Sequence, residues 1–200
     1  MIFEELPIAG AYLIRVERRA DERGYFGRLW CREEFAARGI VVDMVQASVS
    51  HNDLAGTLRG MHFTWPPSRE GKLVRCGRGR VLDVILDLRP DSPTFMRHVA
   101  VELDASDHDA VYIPPGAAHG FQTLLDDTDV VYMMTEFYRP ELADGVRYDD
   151  PCFGIRWPLP ISRIAERDAS YPDFDAVQHR RRFAAAIERM KSARVADASA

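Results

Sequence analysis

Cysteine is scarce in this chain of 200 residues. The three cysteines, Cys31, Cys76 and Cys152, follow no short repeated spacing, so the sequence predicts neither a disulfide framework nor a zinc ribbon. Neither Cys76 nor Cys152 has the sequence surroundings of an activated thiol, which favours inert, packed cysteines. This cysteine usage fits a reducing cytoplasm.

A basic excess and long apolar runs are also missing. The chain has 26 Lys and Arg against 31 Asp and Glu, a formal net charge of −5, whereas nucleic-acid binding usually needs a basic face. The basic cluster HRRRF at 179–183 is more typical of an exposed helix. No apolar run approaches membrane-spanning length, and the start, MIFEELPIAGAYLI, has no basic signal-peptide region. We expect a cytoplasmic protein that binds neither nucleic acid nor membrane.

The His-x-His pair that metal sites in β-barrels commonly use is missing as well. His62 is followed by Phe63 and Thr64, and zinc or iron sites need three or four convergent donors. His62, His119 and Glu70 are candidates for such convergence, but their spacing does not require it. We therefore expect no metal.

Short segments rich in Val, Ile, Tyr and Phe are abundant. Turn-forming stretches such as GRG, RPDSP, PPG and DDTD separate them, and this near-regular spacing predicts an all-β sandwich or barrel. Long helix-period segments between the strands are missing, which disfavours an α/β sheet. The predicted strands are 11–16, 43–50, 72–76, 80–88, 97–103, 110–114, 120–125 and 129–138.

One predicted strand, MVQASVS, carries an alternation with two interpretations. Gln46, Ser48 and Ser50 share one face, opposite small apolar residues. The pattern alone favours a solvent-exposed face. The alternative is a polar lining at the mouth of a ligand-binding barrel.

Helices are expected only at the periphery. The stretch 32–39, REEFAARG, ends in a glycine typical of a helix C-terminus. The stretch 175–194 places apolar residues near one face, which predicts a C-terminal helix, and the last residues, 195–200, are expected to fray. We expect one domain over 1–175, followed over 176–200 by a C-terminal helix and a frayed tail.

His62 is also a candidate for acid–base chemistry. A histidine with a pKa near neutrality can take and return a proton when a carboxylate fixes its tautomer, and Lys72 could stabilise a developing oxyanion. The candidate orienting carboxylates are Asp83, Asp87 and Asp168, and the candidate acids are Tyr112, Tyr132 and Tyr138. Each of these residues also has an ordinary structural explanation, so spacing alone leaves the question open.

A series of ordered motifs between residues 21 and 175 resembles the dTDP-4-dehydrorhamnose 3,5-epimerases of the cupin superfamily. The motifs are DERGYF, LRGMHF, GKLVRCGRGRVLDVILDLRPDSPTF, VYIPPGAAHGF, VVYMMTEFY, GVRYDDPCFGIRWP and ISRIAERDASYPDFD. The resemblance implies a cupin-type jelly-roll barrel, a homodimer, no metal or cofactor, and a nucleotide-diphospho-4-ketosugar as substrate.

The resemblance also implies a role for individual residues. His62 would be the base, Asp168 its orienting partner, Lys72 the neighbour of the sugar's keto oxygen, and Tyr132 the acid on the opposite face. Arg23 and Arg59 would contact the diphosphate, and Tyr138 would stack on the nucleobase. The full set of implied substrate-binding residues is Arg23, Phe26, Gln46, Ser48, Ser50, Arg59, His119, Tyr138 and Arg167. The segment DERGYF is a candidate to reach into the neighbouring subunit's pocket.

The chemistry implied by the resemblance is consistent with these residue types. A ketone at C4 acidifies the hydrogens on C3 and C5, and inversion then requires reprotonation from the opposite face. The leading hypothesis is an epimerase acting at C3, C5 or both. The alternatives are a one-centre epimerase of a specialised deoxysugar pathway, a cupin metal oxygenase, and a non-catalytic sugar-nucleotide-binding module.

Several positions depart from the family pattern. The resemblance places them around the nucleotide and sugar ends, so it predicts the reaction type more firmly than the thymidine base or the rhamnose product. These positions are Arg28, Phe63, Thr64, Glu70, Met133 and Ala143, with Glu141 as a neighbouring acidic substitute for the last.

Overall fold

The computed structural model describes residues 1–197, with side chains through residue 192, and it consists mainly of short β-strands. The strands are β1 (Ile2–Glu5), β2 (Tyr12–Arg15), β3 (Arg19–Asp21), β4 (Gly24–Phe26), β5 (Gln46–Asn52), β6 (Thr57–Thr64), β7 (Lys72–Arg78), β8 (Arg80–Asp87), β9 (His98–Asp104), β10 (Ala110–Ile113), β11 (Ala117–Thr123), β12 (Thr128–Met134), β13 (Ala143–Gly145) and β14 (Arg163–Ile164). The helices are α1 (Arg32–Ala36), α2 (Glu166–Ala169) and α3 (Ala176–Asp197), with a 3₁₀ turn at Pro140–Leu142.

Two sheets pack face to face. The first has the strand order β1-β2-β10-β7-β12-β5, and the second has the order β13-β6-β11-β8-β9, with the short β14 paired in parallel to β6. The remaining pairs in both sheets are antiparallel. β3 and β4 form a separate hairpin outside both sheets.

The main core lies between the two sheets. Because side chains alternate along a strand, every second residue of β7, β10 and β12 faces the matching residues of β8 and β11. Val74, Val130, Val81, Ile85 and Phe121 meet there, and each is at most 1% exposed. This interior is the barrel lumen, and Tyr132 packs against its core.

Each sheet also buries its outer face. Phe35 of α1 is fully buried against Leu73 and Tyr112 on the outside of the first sheet. The C-terminal helix α3 covers the second sheet, where Phe183 packs against the cluster that contains Phe63. Strand β8 is therefore buried on both faces, which explains its long apolar run.

His179 anchors α3 to the second sheet. Its Nε2 lies 2.7 Å from the carbonyl oxygen of Leu88, so the imidazole donates a hydrogen bond there. The ring is 5% exposed. Its aromatic neighbours are Phe63, Trp65, Phe95, Phe174 and Phe183.

The all-β jelly-roll prediction is confirmed, and so are helices at 32–36 and at the C-terminus. The C-terminal helix continues to Asp197, beyond the predicted end at 194, and residues 198–200 of the predicted frayed tail lie outside the described residues. Within residues 1–197, no helix is long and apolar enough to cross a membrane.

The predicted strand 129–138 is wrong at its end, because β12 stops at Met134. Beyond it, Glu136 accepts hydrogen bonds from Ser68 and Arg139, and the amide of Tyr138 donates to the Gln46 side chain instead of to a neighbouring strand. Side-chain contacts of this kind replace the backbone ladder, so the chain turns away from the sheet.

Candidate active site

The close pairing of strands β6 and β11 positions His62. Gly60 of β6 has a φ of +121°, and a Cβ there would lie 2.5 Å from the Cα of Gly120 on β11. A side chain at residue 60 would therefore separate the strands. With glycine at this point of close approach, His62 lies directly opposite His119 in the antiparallel register.

His62 is held by a buried carboxylate from α2. Its Nε2 lies 2.7 Å from Oδ1 of Asp168, and the other carboxylate oxygen accepts the backbone N–H of Gly60 at 3.1 Å. Because a carboxylate only accepts, this contact places a proton on Nε2 and leaves a lone pair on Nδ1. The His62 side chain is 46% exposed, so Nδ1 is the atom available as a base.

The pKa of Asp168 is lower than that of a free aspartate. Burial by itself would raise this pKa, but the hydrogen bond with His62 and the one from the Gly60 amide outweigh burial. Asp168 therefore stays ionised at neutral pH and can stabilise a positive charge on His62.

A second histidine–carboxylate pair lies beside the first. His119 Nε2 is 2.7 Å from Oδ2 of Asp83, and both side chains are buried. Of the three carboxylates that the sequence offered, Asp168 alone contacts His62 among the hydrogen bonds and ion pairs of the described chain. Asp87 instead accepts hydrogen bonds in the turn after β8, from the side chains of Arg89, Ser92 and Thr94.

Tyr132 faces the histidines from the other sheet. Its ring centroid is 5.9 Å from that of His119, with the rings nearly perpendicular. Burial raises the pKa of Tyr132 far above its usual range, and the nearby Asp83 carboxylate raises it further. The hydroxyl therefore carries its proton at neutral pH. Of the other candidate acids, Tyr112 packs in the outer core and Tyr138 is 58% exposed.

The polar face of β5 lies on the same side of the sheet as Tyr132. Gln46, Ser48 and Ser50 pair with Met134, Tyr132 and Val130 of β12, and cross-strand partners point to the same side. The hydroxyl of Ser50 is buried without a partner among the described residues. The register therefore favours the polar-lining interpretation over a solvent face.

Lys72 lies on the interior side of β7 and forms an ion pair with Glu70. The two charged atoms, Nζ and Oε1, are 2.8 Å apart, with side-chain exposures of 17% and 7%. Glu70 therefore has a partner other than the histidines, and the three donors considered for a metal each bind a different group. In the described part of the chain, no three His, Cys, Asp or Glu side chains are placed to hold a metal ion.

The two cysteines considered as nucleophiles are not activated. Burial raises the pKa of Cys76 to about 11. For Cys152, burial and then the neighbouring Asp150 raise the pKa to about 12. Both thiols are protonated at neutral pH, which agrees with the expectation of inert cysteines. The expectation that they are packed is wrong for Cys152, which is exposed, whereas Cys76 is buried.

Arginines surround the cleft next to His62. This cleft has a volume of about 350 Å³, and its lining includes His62, Asp168 and the arginines at 59, 163 and 167. Arg59 donates to Asn52 Oδ1 at 2.8 Å, which fixes its direction. The sequence interpretation missed Arg163, which has no distinctive motif of its own. Several guanidinium groups beside a proton-accepting histidine suit a diphosphate-containing substrate.

Three predicted binding residues lie apart from the histidines. Arg23 is 83% exposed on the β3–β4 hairpin, where its side chain bonds Asp21. Phe26 on the same hairpin is 72% exposed, and Tyr138 lies in the loop after β12. Among residues 1–197, no hydrogen bond or aromatic contact connects these side chains to His62.

Two of the departures from the family pattern face away from the lumen. Phe63 packs in the outer core under α3, and Met133 packs in the outer core near α1. The expectation that they line the substrate ends is wrong for this chain, because alternation along β6 and β12 points them outward. Arg28 pairs with Glu34, also away from His62.

Known proteins with a similar sequence or structure were compared with this chain. A family model described as dTDP-4-dehydrorhamnose 3,5-epimerase matches residues 5–176. The chain belongs to this family. A dTDP-4-dehydrorhamnose 3,5-epimerase from Sinorhizobium fredii (strain NBRC 101917 / NGR234) is 40% identical over 173 residues, which cover 86% of this chain and 89% of the relative.

Solved structures of the family share the fold. An epimerase from Mycobacterium tuberculosis has a TM-score of 0.85 and 35% identity, and the match covers 92% of this chain and 93% of that one. A 3'-monoepimerase from Streptomyces bikiniensis in complex with dTDP-quinovose has a TM-score of 0.80 and 32% identity, with 94% and 96% covered. The family resemblance predicted from the motifs is confirmed.

Proposed function

We propose that the chain epimerises a nucleotide-linked 4-keto-6-deoxyhexose at C3, C5 or both, as in the conversion of dTDP-4-dehydro-6-deoxyglucose to dTDP-4-dehydrorhamnose. The observation that carries this proposal is the contact of 2.7 Å between His62 and Asp168, at a cleft that both residues line together with three arginines. Family membership supports the substrate class.

The first step is removal of a proton next to the ketone. His62 Nδ1 takes the proton from C3 or C5, the C–H electron pair forms a double bond to C4, and the carbonyl π pair moves to the keto oxygen to give an enolate. The ionised Asp168 stabilises the imidazolium that forms. Lys72 supplies positive charge for the enolate oxygen.

Inversion requires a proton from the other face of the sugar. Tyr132 extends from the opposite sheet and keeps its hydroxyl protonated, so we assign it as the acid. Its O–H bond breaks as the new C–H bond forms. Exchange with water then removes the extra proton from His62 and returns one to Tyr132. These steps need neither a metal nor a redox cofactor.

The remaining predicted residues bind the substrate around this centre. Arg59 and Arg167 line the cleft, and we assign them to the diphosphate. Gln46, Ser48 and Ser50 offer hydrogen bonds from the lumen face of β5, and His119 offers one from β11. Tyr138 provides an exposed aromatic ring for stacking on the nucleobase.

A one-centre epimerase is the second candidate. A structurally similar protein is a 3'-monoepimerase, and one base with one opposed acid is sufficient for a single inversion. The configuration of the product at C3 and C5 therefore shows how many carbons this chain inverts.

We infer further that the active form is a homodimer in the cytoplasm. Arg23 and Phe26 extend on an exposed hairpin away from the chain's own cleft, where they are available to a partner's site. The three cysteines are free, which fits a reducing compartment. Residues 1–175 are proposed to form a single domain on which α3 packs.

The test is incubation with a small panel of 4-keto-6-deoxy sugar nucleotides in heavy water. We expect deuterium at C3, C5 or both, detected by mass and by loss of proton resonances. In His62→Ala, exchange should be abolished while dTDP binding, measured by calorimetry, remains. A wild-type protein that binds dTDP-sugars without exchanging any hydrogen would instead be a non-catalytic binding module.

A further inference from the structure

The Asp83–His119 pair has no assigned part in proton transfer, although it lies in the lumen beside the pair that does. His119 and His62 are register partners on neighbouring strands. Each binds a buried carboxylate through Nε2 at 2.7 Å. The lumen therefore contains two parallel histidine–carboxylate pairs, and one of them is next to Tyr132.

The His119 ring of this pair contacts Tyr132. Since the Asp83 carboxylate only accepts, it places the proton of His119 on Nε2 and fixes the ring orientation. The fixed imidazole then packs against the Tyr132 ring at 5.9 Å in an edge-to-face arrangement. Loss of the His119 ring would remove a packing contact of Tyr132.

A purely structural role explains Asp83 poorly. The side chain is 0% exposed, and its Oδ1 has no hydrogen-bond partner among the described residues. A buried carboxylate with an unsatisfied oxygen costs stability. Asp87, four residues along the same strand face, is equally buried, but both of its oxygens accept hydrogen bonds.

We propose that Asp83 is a positioning residue for the acid step, acting through His119 to hold Tyr132 ready to donate its proton. This inference rests on the proposed epimerase function. The negative charge of Asp83 also opposes ionisation of Tyr132, in agreement with the raised pKa of that tyrosine, for which burial is the larger cause. His62 and Asp168 have no direct contact with Asp83, so proton removal does not depend on it.

The test compares two readouts in Asp83→Asn, a variant of nearly identical shape. Deuterium exchange into substrate reports removal of the proton by His62, and inverted product reports reprotonation from the Tyr132 side. We expect exchange to stay near the wild-type rate and the ratio of inverted product to exchanged hydrogen to fall roughly tenfold, below the full effect of an acid.

Asp87→Asn is the matched control, since it removes an equally buried carboxylate from the same strand face. It should lower the melting temperature without changing the ratio. His119→Gln provides a second variant that removes the ring against Tyr132, and it should lower the ratio as Asp83→Asn does. Near-UV circular dichroism checks that each variant is folded.

The outcomes separate this inference from the function on which it rests. Suppose that the wild-type protein exchanges deuterium, and that folded Asp83→Asn or His119→Gln keeps the wild-type ratio of inverted product to exchanged hydrogen. This result overturns the positioning role and leaves the proposed epimerase function intact. A ratio that falls equally in Asp87→Asn also overturns it, because the effect would then be a general loss of structure. No exchange by wild-type protein on any substrate of the panel overturns both proposals.

Discussion

The two residues assigned to proton transfer differ in their contact with water. His62 is half exposed and lines the cleft, and its buried partner Asp168 holds one nitrogen and leaves the other unbound. Tyr132 is partly buried against the core between the sheets, and this burial raises its pKa. These environments suit their roles, because a base must release its proton to solvent, whereas an acid must keep its proton until the enolate forms.

Tyr132→Phe should separate removal of the proton from its return. The substitution deletes the hydroxyl and keeps the ring that packs against His119, so folding should be little affected. We expect exchange at C3 or C5 to persist while inverted product falls by about a hundredfold, the lower range for loss of a general acid. Mass spectrometry and proton NMR of the same reaction measure both quantities. Product formation at the wild-type rate would assign the acid role to another group.

Glu70→Gln should change the charge next to the keto oxygen. Glu70 pairs with Lys72 at 2.8 Å and partly neutralises it. The amide keeps the size and a hydrogen bond but removes the negative charge, so Lys72 should stabilise the enolate better and exchange should accelerate several-fold. Glu70→Ala should slow exchange, because Lys72 loses its anchor.

Initial rates of deuterium exchange measure the Glu70 effect, with Glu136→Gln as the control. Glu136 binds Ser68 and Arg139, not Lys72, so its variant should exchange at the wild-type rate. If Glu70→Gln slows exchange as strongly as Glu70→Ala, the carboxylate is needed for positioning and not as a brake on the charge of Lys72.

The sequence alone predicted the candidate residue types but could not predict which of them meet. Asp168 lies 106 positions from its partner His62, and spacing could not distinguish it from Asp83 or Asp87. The family resemblance made that distinction, and the structure shows the contact. Arg163 was missed because a single arginine in a loop-rich segment becomes informative only once β14 places it at the cleft.

At the scale of elements, prediction succeeded where side chains alternate regularly and failed elsewhere. The strands rich in Val and Ile in the centres of both sheets were found. Strand β6, which carries His62, was not predicted, since Gly60 and the irregular pairing between β6 and β11 interrupt its alternation. The irregularity that concealed the strand is also the feature that positions the histidine.

The docking of α3 should depend on pH through His179. Burial lowers the pKa of His179 below its ordinary 6.5, although the hydrogen bond to Leu88 acts in the opposite direction. As pH falls through 6.5, the unfolded chain binds this proton before the folded chain does. The contribution of His179 to stability is therefore complete above pH 6.5 and is lost as pH falls toward the folded-state pKa.

His179→Gln should remove this part of the pH dependence, because the amide can still donate to the Leu88 carbonyl but does not titrate. Urea midpoints above and below pH 6.5 measure it, with His98→Gln on β9 as the control that should retain the wild-type dependence. Equal pH dependence in wild type and His179→Gln would show that the docked helix tolerates the protonated ring.

At the scale of the whole molecule, the proposed homodimer is tested through the β3–β4 hairpin. The hairpin lies outside both sheets and exposes Arg23 and Phe26. β5 forms one edge of the first sheet, and Val49 on its outer side is 65% exposed. Apolar side chains along an unpaired edge favour contact with a second copy. A dimer would cover that edge and bring a hairpin to the partner's cleft.

Mixing two inactive variants tests this exchange of hairpins. Arg23→Ala should weaken substrate binding, and His62→Ala should abolish exchange. If Arg23 acts across the interface, a mixed dimer has one cleft with an intact His62 and an intact Arg23 from its partner. After random subunit exchange, half the dimers are mixed and half of their clefts are intact, so activity at low substrate should recover to about a quarter of wild type. If Arg23 serves its own subunit, the cleft with intact His62 still lacks its arginine, and the mixture should remain as inactive as its parts. Native mass spectrometry of the mixture, with one variant isotopically labelled, confirms that mixed dimers have formed.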